Sequence, residues 1–380
     1  MLTIGLPGRI DRGVVTTPEI DELLRDGSPV AIGVSGGKDS CALAFATVAH
    51  LDAIGHTGPR VLIHSDLGRV EWKESLPMCE RLAARLKLEL IVVRRAAGDM
   101  MDRWLTRWDN NVERYAALSC VKLILPWSTP SMRFCTSELK TAIICRELIR
   151  RFPGKTTVSA SGIRRQESSK RAKAPIAKPQ AKLTSTTHKT AGIDWHPIIE
   201  WSHPDVFAFL KSHAFELHEA YTKFGMSRVS CMYCIMSNEA DLAASTTCPD
   251  NHATYREMVE LEAASTFGFQ GKWLADVAPA LLSDDQRAHV EASKRAAVVR
   301  EEAEARIPDH LLYEKGWPNV MPTYEEAVML ADVRKSVAAA VGLTIEYTDP
   351  DAIIARYAEL MRMKEEKNTK AVRSGTCSAS

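Results

Sequence analysis

The chain has 380 residues, 45% hydrophobic and 26% charged, and its 49 basic and 48 acidic side chains leave a formal net charge of +1. Such proportions suit a soluble globular protein of one large or two smaller domains, and no run approaches the roughly eighteen apolar residues of a membrane span. The opening MLTIGLPGRIDRG lacks the charged-then-apolar order of a secretory signal, so a cytoplasmic protein away from membranes is expected. Balanced charge argues against a surface coated in basic residues for wrapping nucleic acid, but it leaves room for local patches. Nine dispersed cysteines, an odd number, argue against a disulfide framework and leave buried thiols, a metal site or reactive chemistry.

In chain order, the first half alternates short apolar runs with helical patterns. Pro29–Val34, Arg60–Ser65, Leu88–Val93 and Thr156–Ser161 each suit a buried strand. Between them, Ser40–Leu51 places Leu43, Ala44, Thr47 and Val48 on one face, and Glu71–Leu86 places Leu76, Cys79, Leu82, Ala83 and Leu86 on one stripe. The alternation predicts an α/β fold, a doubly wound and mostly parallel sheet whose ligands sit at the carboxyl ends of the strands.

From Gln166 to Ala191 the pattern dissolves into a stretch rich in Lys, Ser, Thr, Ala and Pro, read as a mobile basic loop: a solvated linker or a flap over a polyanionic substrate. Arg164–Lys189 holds eight Lys or Arg against one Glu. Order resumes at Trp195–Trp201, and Ser202 or Asp205 can start the next helix. The last third reads as helical: Ser283-Asp-Asp-Gln286 has capping-box spacing and opens a helix to about Arg306, followed by Thr323–Val341 and Asp349–Lys367. The domain reading is therefore 1–245 for the α/β domain, 246–367 for a helical C-terminal extension and 368–380 for a disordered tail holding Cys377. Cys41, Cys79 and Cys145 fall in helix patterns as core residues, and Trp104, Trp108 and Trp127 are read as core aromatics.

The strongest local signal is Ser35-Gly36-Gly37-Lys38-Asp39-Ser40, directly after a strand and directly before a helix. Two glycines let backbone amides approach an anion, and the following helix aims its unsatisfied N–H groups at the same place. Ser35, Lys38 and Ser40 add two hydroxyls and an ammonium, which makes a pyrophosphate cradle. Asp39 is out of place in a site built only of positive charge, so magnesium between its carboxylate and the phosphates is expected. The hexapeptide is neither the Walker pattern nor the dinucleotide GxGxxG.

This loop resembles the PP-loop of the N-type ATP pyrophosphatases, which cleave ATP between its α and β phosphates and form adenylylated intermediates. Four more segments resemble one branch, the phosphoadenosine phosphosulfate (PAPS) reductase-like proteins that include DNA phosphorothioation sulfurtransferases. They are His64-Ser-Asp66-Leu67-Gly68; Arg133-Phe-Cys135-Thr-Ser-Glu-Leu-Lys140; Gly162-Ile-Arg164-Arg165-Gln-Glu167-Ser-Ser-Lys-Arg171; and Pro197–Trp201 through Arg228 to Cys231-Met-Tyr-Cys234. Order and spacing agree over about residues 29–240. Leu67 stands where the family has Thr. The resemblance implies an adenine nucleotide alpha hydrolase-like fold.

From their own chemistry, Asp66 ends a strand where it can hold magnesium or ribose, or cap a turn. Gly162 lets Arg164 and Arg165 emerge at the same sheet edge to grip phosphate or sulfate, with Glu167 orienting one of them, or pairing without function. Arg133 and Lys140, seven apart, share a face if helical, and with Arg171 and Arg228 they are placed at the substrate mouth.

Cys231-x-x-Cys234 has two-ligand metal spacing. Cys248 and Cys135 bring the candidate sulfur ligands to four, with His252 or Cys120 as substitutes for Cys248, which lies outside the matching segments. The resemblance favours a [4Fe-4S] cluster; zinc takes the same ligands, and three cysteines with an open iron site are a further option.

Three functions fit these residues. The first is an enzyme that cleaves MgATP to AMP and pyrophosphate, with Lys38, Asp39 and Arg164 catalytic, and adenylylates a substrate for sulfur transfer; DNA or RNA is a candidate substrate and a cysteine desulfurase a candidate donor. The second is a reductase of PAPS or adenylyl sulfate, although Cys377 lacks the Glu-Cys-Gly context of the thioredoxin-linked members. The third is a nucleotide-sensing subunit of a modification or defence complex, docking or oligomerising through its C-terminal helices.

Overall fold

The structure, a computed structural model, describes residues 13–373. In chain order its elements are α1 (Pro18–Arg25), β1 (Val30–Gly33), α2 (Lys38–Ala53), β2 (Arg60–Asp66), α3 (Ser75–Leu86), β3 (Glu89–Arg94), α4 (Met100–Ala116) and the single turn α5 (Phe134–Thr136). A π-helical turn, Ser137–Thr141, leads into α6 (Ala142–Arg151), then β4 (Thr156–Ala160), α7 (Ser169–Ala172), β5 (Ala177–Pro179), β6 (Ala191–Trp195), α8 (His203–Ser212) and α9 (Glu219–Thr222). The chain continues through α10 (Glu239–Thr246), α11 (His252–Ser265), α12 (Asp284–Ala305), α13 (Tyr324–Val341) and α14 (Pro350–Arg373). No helix among the described residues is long and apolar enough to cross a membrane.

The chain divides into two compact units, one made of the residues up to Met101 together with Ser128–Thr254, the other of Asp102–Trp127 together with the chain from Tyr255 onward. The first holds a six-stranded sheet in the order β3-β2-β1-β4-β6-β5, parallel except for the edge strand β5, which runs antiparallel to β6. The expected doubly wound, mostly parallel sheet is therefore present. Period-two alternation splits its side chains between two cores. Val30, Ile32, Leu62, Val158 and Ile193 pack with α1, α2, α3 and α8, while Ala31, Val61, Ile63 and Ile91 pack on the other face with Cys145 and Leu148 of α6 and with Phe152, which follows it. Between β1 and β4 the strand order reverses, and the carboxyl ends of those two strands form the crevice where such sheets bind ligands.

Two of the sequence expectations change here. Residues 166–191, expected as a mobile loop, carry α7, β5, a 3-10 turn at Ala181–Leu183 and the first residue of β6. The reason is pairing: Ala177–Pro179 registers against Ile193–Trp195, Leu183 is buried, and Arg165 donates to the Ala172 and Ala174 carbonyls at 3.0 and 2.6 Å. α14 runs on through Arg373, so the tail expected from Asn368 begins as helix, and Cys377 lies outside the described residues.

In the second unit, Trp104 and Trp127 stack edge to face at 5.3 Å, Trp127 meets Phe269 at 5.2 Å, and both tryptophans and Trp108 are buried as expected of core aromatics. Arg334 is fully buried and donates to the carbonyls of Tyr115, Ala116, Glu346 and Tyr347, two of them at the end of α4. Glu262, also buried, accepts the N–H groups of Phe269, Leu274 and Ala275 at 2.7, 2.7 and 3.0 Å. Capping boxes at Ser283 and Thr323 open α12 and α13 where the sequence places them.

Candidate functional site

The site is built from the turn after β1 and the turn after β4. Gly36 has φ +74°, and a Cβ there would stand 2.9 Å from the Ser75 carbonyl oxygen, so only glycine fits. Gly37 is different: its φ of −76° suits any residue and an added Cβ would meet nothing closer than 3.5 Å, so its missing side chain keeps space open at the N-terminus of α2. Ser40 fastens the turn by accepting the Ser35 N–H at 3.1 Å and donating to the Gly37 carbonyl at 2.9 Å. No side chain caps α2, which leaves its first amides for a ligand or a neighbouring group.

One such group is present. The Tyr221 hydroxyl accepts the Lys38 N–H at 3.3 Å and the Val229 N–H at 3.1 Å, tying α9 and the 226–231 loop over the cradle. The Lys38 side chain is 3% exposed; its Nζ lies 3.2 Å from Asp39 Oδ2, donates to the Ser227 carbonyl at 3.5 Å and stands over the Tyr221 and Phe207 rings at 5.2 and 5.8 Å. Asp241 fixes the loop by accepting the Ser227 N–H and hydroxyl, both at 2.7 Å.

Gly162 brings the second turn into contact with the first, since a Cβ there would stand 2.9 Å from the Asp39 carbonyl oxygen. Two residues on, Arg164, 3% exposed, donates Nε to Asp39 Oδ1 at 2.7 Å and points Nη1 at the Trp201 carbonyl at 3.4 Å. Glu167, expected to orient the guanidinium of Arg164 or Arg165, instead accepts the Arg164 backbone N–H at 2.9 Å and pairs with Arg171. Both oxygens of Asp39 are thus engaged by cations, one by Arg164 and one by Lys38. Asp39, expected to hold magnesium, is placed between the two basic groups, and its carboxylate anchors both of them.

Other expected residues are placed differently. Asp66 accepts the Gly68 N–H at 2.7 Å and the Arg94 Nε at 2.6 Å, so it caps its turn and pairs across to β3; it also lines a cavity of about 390 Å³ with Arg69, Glu71, Trp72 and Thr254. Arg165, expected on substrate, is committed to Glu200 at 2.7 Å and to the carbonyls of the insert. Arg133 and Lys140 do not share a helical face, because Arg133 precedes α5 and the π turn shifts the register after it. Arg133 and Arg228 are exposed; Lys140 is partly buried.

Lys140 has Cys231, Glu71, Cys234 and Cys135 as its titratable neighbours; burial alone would depress its pKa, and these groups together hold it above the ordinary lysine value. Burial pushes the Cys231 thiol up, with the Lys140 ammonium opposing. Three of the four expected sulfur ligands therefore gather around one ammonium. Cys248 does not join them: it is buried at the start of the 3-10 turn Pro249–Asn251, bonded by the backbone N–H groups of Asp250 and Asn251, with Glu219 and Asp250 as its charged neighbours. The proposed substitutes are no nearer to use, since Cys120 is buried against Asn111 in the second unit and His252 bonds the Thr246 carbonyl at 2.8 Å. Among the described residues no three His, Cys, Asp or Glu side chains are arranged to hold a metal ion. The four-cysteine iron–sulfur or zinc site thus does not fit this arrangement. Cys41, Cys79 and Cys145 are core, as expected.

Sequence reasoning missed several residues here. Tyr221, Phe207 and Ser227 surround Lys38 but carry no motif. His203, at the start of α8, packs its ring on Phe207 at 4.9 Å, the same ring that Lys38 stands over, and partial desolvation followed by Lys38 and Arg164 lowers its pKa. His64 was read only as part of a motif; its Nδ1 faces the Val34 carbonyl at 3.0 Å and its Nε2 the Glu71 carboxylate at 3.2 Å. Burial opposes its charge, but Cys79 and Glu71 outweigh that and bring its pKa to about 10, so an imidazolium braces β2 against the cradle.

A sheet with this switch point, this cradle and this Arg–Asp–Lys cluster defines a nucleotide-binding α/β protein. Residues 29–237, more than half of the chain, match the phosphoadenosine phosphosulfate reductase domain, and the chain belongs to that family. It is 27% identical over 243 residues to an uncharacterized 37.8 kDa protein of Escherichia phage 186, covering 56% of this chain and 68% of that one. Similar solved structures are the PAPS reductase of Candida auris in phosphate complex (12% identity, TM-score 0.35, 58% of this chain and 98% of that) and the U34-tRNA thiolase NcsA of Methanococcus maripaludis with its [4Fe-4S] cluster (13%, 0.37, 74% and 75%). A third is the NH3-dependent NAD synthetase of Campylobacter jejuni (14%, 0.30, 77% and 95%).

Proposed function

We propose that the protein binds MgATP with its β and γ phosphates in the Ser35–Ser40 cradle, cleaves the α–β bond and adenylylates a substrate oxygen that sulfur then displaces. The observation that carries this reading is the junction of Gly37, Lys38, Asp39 and Arg164 at the switch point: a helix start without an N-cap side chain, a buried ammonium and a buried guanidinium, both cations held by one carboxylate. A substrate oxygen attacks the α phosphorus, the bond to the bridging oxygen breaks and pyrophosphate leaves with its charge facing Lys38 and the start of α2. In a second step a nucleophile of the hydrosulfide class forms the carbon–sulfur bond and AMP leaves with the oxygen. Cys231 follows the loop whose Val229 N–H shares the Tyr221 hydroxyl with the Lys38 N–H, which supports a sulfur-handling place beside the cradle.

The test is pyrophosphate release from MgATP, measured with a pool of candidate acceptors. Lys38→Ala and Arg164→Ala each lower it at least about 100-fold. Equal rates for the wild type and both variants would sink the reading.

A further inference from the structure

On the face of the sheet opposite α2, α3 and α8, two surface cavities lie end to end along α6. One, of about 540 Å³, is lined by Ala142, Arg146, Ile149, Arg150, Lys182 and His188, with Ser185. The other, of about 410 Å³, is lined by Met132, Arg133, Phe134, Thr136, Gln180 and Lys182, among others. Lys182 belongs to both, so they form one groove between α6 and the 180–188 segment, and no carboxylate lines either part. Lys182 is held across the junction by the Ser137 carbonyl at 3.0 Å. Arg150 pairs with Glu147 at 2.6 Å, outside the lining. α6 runs back against the parallel strands, so its N-terminal end lies at the carboxyl edge of the sheet, near the Arg133–Thr136 turn that carries Cys135.

We propose that this groove is a track for one strand of nucleic acid, led along α6 to the Cys135 turn; the idea deepens the adenylylation reading by naming its acceptor. Charge and shape both favour it. Arg133, Arg146, Arg150 and Lys182 form a cationic rim, with the two arginines of α6 one helical turn apart, and guanidinium forks suit phosphate oxygens. Ala142, Ile149 and Met132 supply apolar patches on which sugars and base faces rest, over the buried Phe134. The balanced net charge of the whole chain conceals this local excess.

The experiment is fluorescence anisotropy of labelled single-stranded DNA and RNA oligonucleotides with the full chain, without ATP, over a range of salt. Strand binding is expected. The triple variant Arg146→Ala, Arg150→Ala, Lys182→Ala weakens it at least about tenfold and lowers the slope of log K against log salt by about 2, three phosphate contacts at roughly 0.7 each. A control triple on the opposite face, Arg85→Ala, Lys211→Ala, Lys223→Ala, leaves both unchanged, and circular dichroism verifies that each variant folds. Unchanged affinity and slope in the first triple would overturn the groove, as would no binding by the wild type at low salt. Competition by polyglutamate as strong as by oligonucleotide would overturn the nucleic-acid assignment in favour of an acidic protein. Because ATP is absent, failure here is separate from failure of ATP cleavage.

Discussion

Arg164 and Asp39 stand 125 residues apart in the chain and meet at 2.7 Å, where the turn after β4 touches the first turn of α2. The contact closes the switch point of the sheet and holds two cations beside the phosphate cradle. Removing the guanidinium leaves Asp39 paired with Lys38 alone. Arg164→Ala is expected to cost about 1–3 kcal/mol in urea unfolding and to remove ATP cleavage. Arg164→Lys recovers part of the stability but little activity, because an ammonium cannot span Asp39, the Trp201 carbonyl and a phosphate together. Full activity in the lysine variant would show that the fork geometry is not used.

The two cradle glycines separate folding from binding. Gly36→Ala combines a left-handed backbone with a contact on the Ser75 carbonyl and is expected to destabilise by about 1–3 kcal/mol. Gly37→Ala meets only ordinary contacts, so its melting temperature stays near that of the wild type while ATP affinity, followed by calorimetry, falls at least about tenfold. The reverse pattern would mean that the open space at Gly37 serves the fold.

The cysteines divide in the same way. With labelled sulfide as donor, Cys135→Ser and Cys231→Ser are expected to lower sulfur incorporation into the acceptor at least about tenfold by altering the lining of the place where sulfide is held, whereas Cys248→Ser leaves it intact. Loss of transfer in Cys248→Ser with an unchanged melting temperature would return Cys248 to the sulfur site.

His218 gives a pH dependence. Its ring is buried, Nδ1 accepts the Ala220 N–H at 3.0 Å, and burial lowers its pKa to about 4. The unfolded chain takes up a proton near pH 6.5 that the folded chain refuses until near pH 4. Stability therefore falls as pH drops through that window, by roughly 3 kcal/mol at most from this group, and levels off below it. Urea midpoints measured from pH 7 to 4 should fall less steeply in His218→Gln than in the wild type.

What the sequence made legible followed from local pattern. Alternating apolar runs located β1 to β4, and SGGKDS after a strand located the cradle, because its turn and helix start are set by adjacent residues. β5 and β6 were not recognised: Ala191–Trp195 is short, and its partner Ala177–Pro179 sits in a Lys-rich stretch whose strand character comes from pairing. Arg164 and Arg165 look equivalent in sequence, yet one reaches Asp39 and the other Glu200, a difference set by where Gly162 and Ile199 bring the backbone. Cys248 looked like a fourth ligand by residue type alone, and Tyr221 reaches Lys38 across 183 residues with no motif to announce it.

Cleavage between the α and β phosphates is measured most directly by following ATP labelled at the α and γ positions during turnover with single-stranded nucleic acid and sulfide. The α label is expected in AMP and the γ label in pyrophosphate, in equal amounts and absent in Lys38→Ala. The appearance of ADP and inorganic phosphate instead, or turnover that persists in Lys38→Ala, would contradict it.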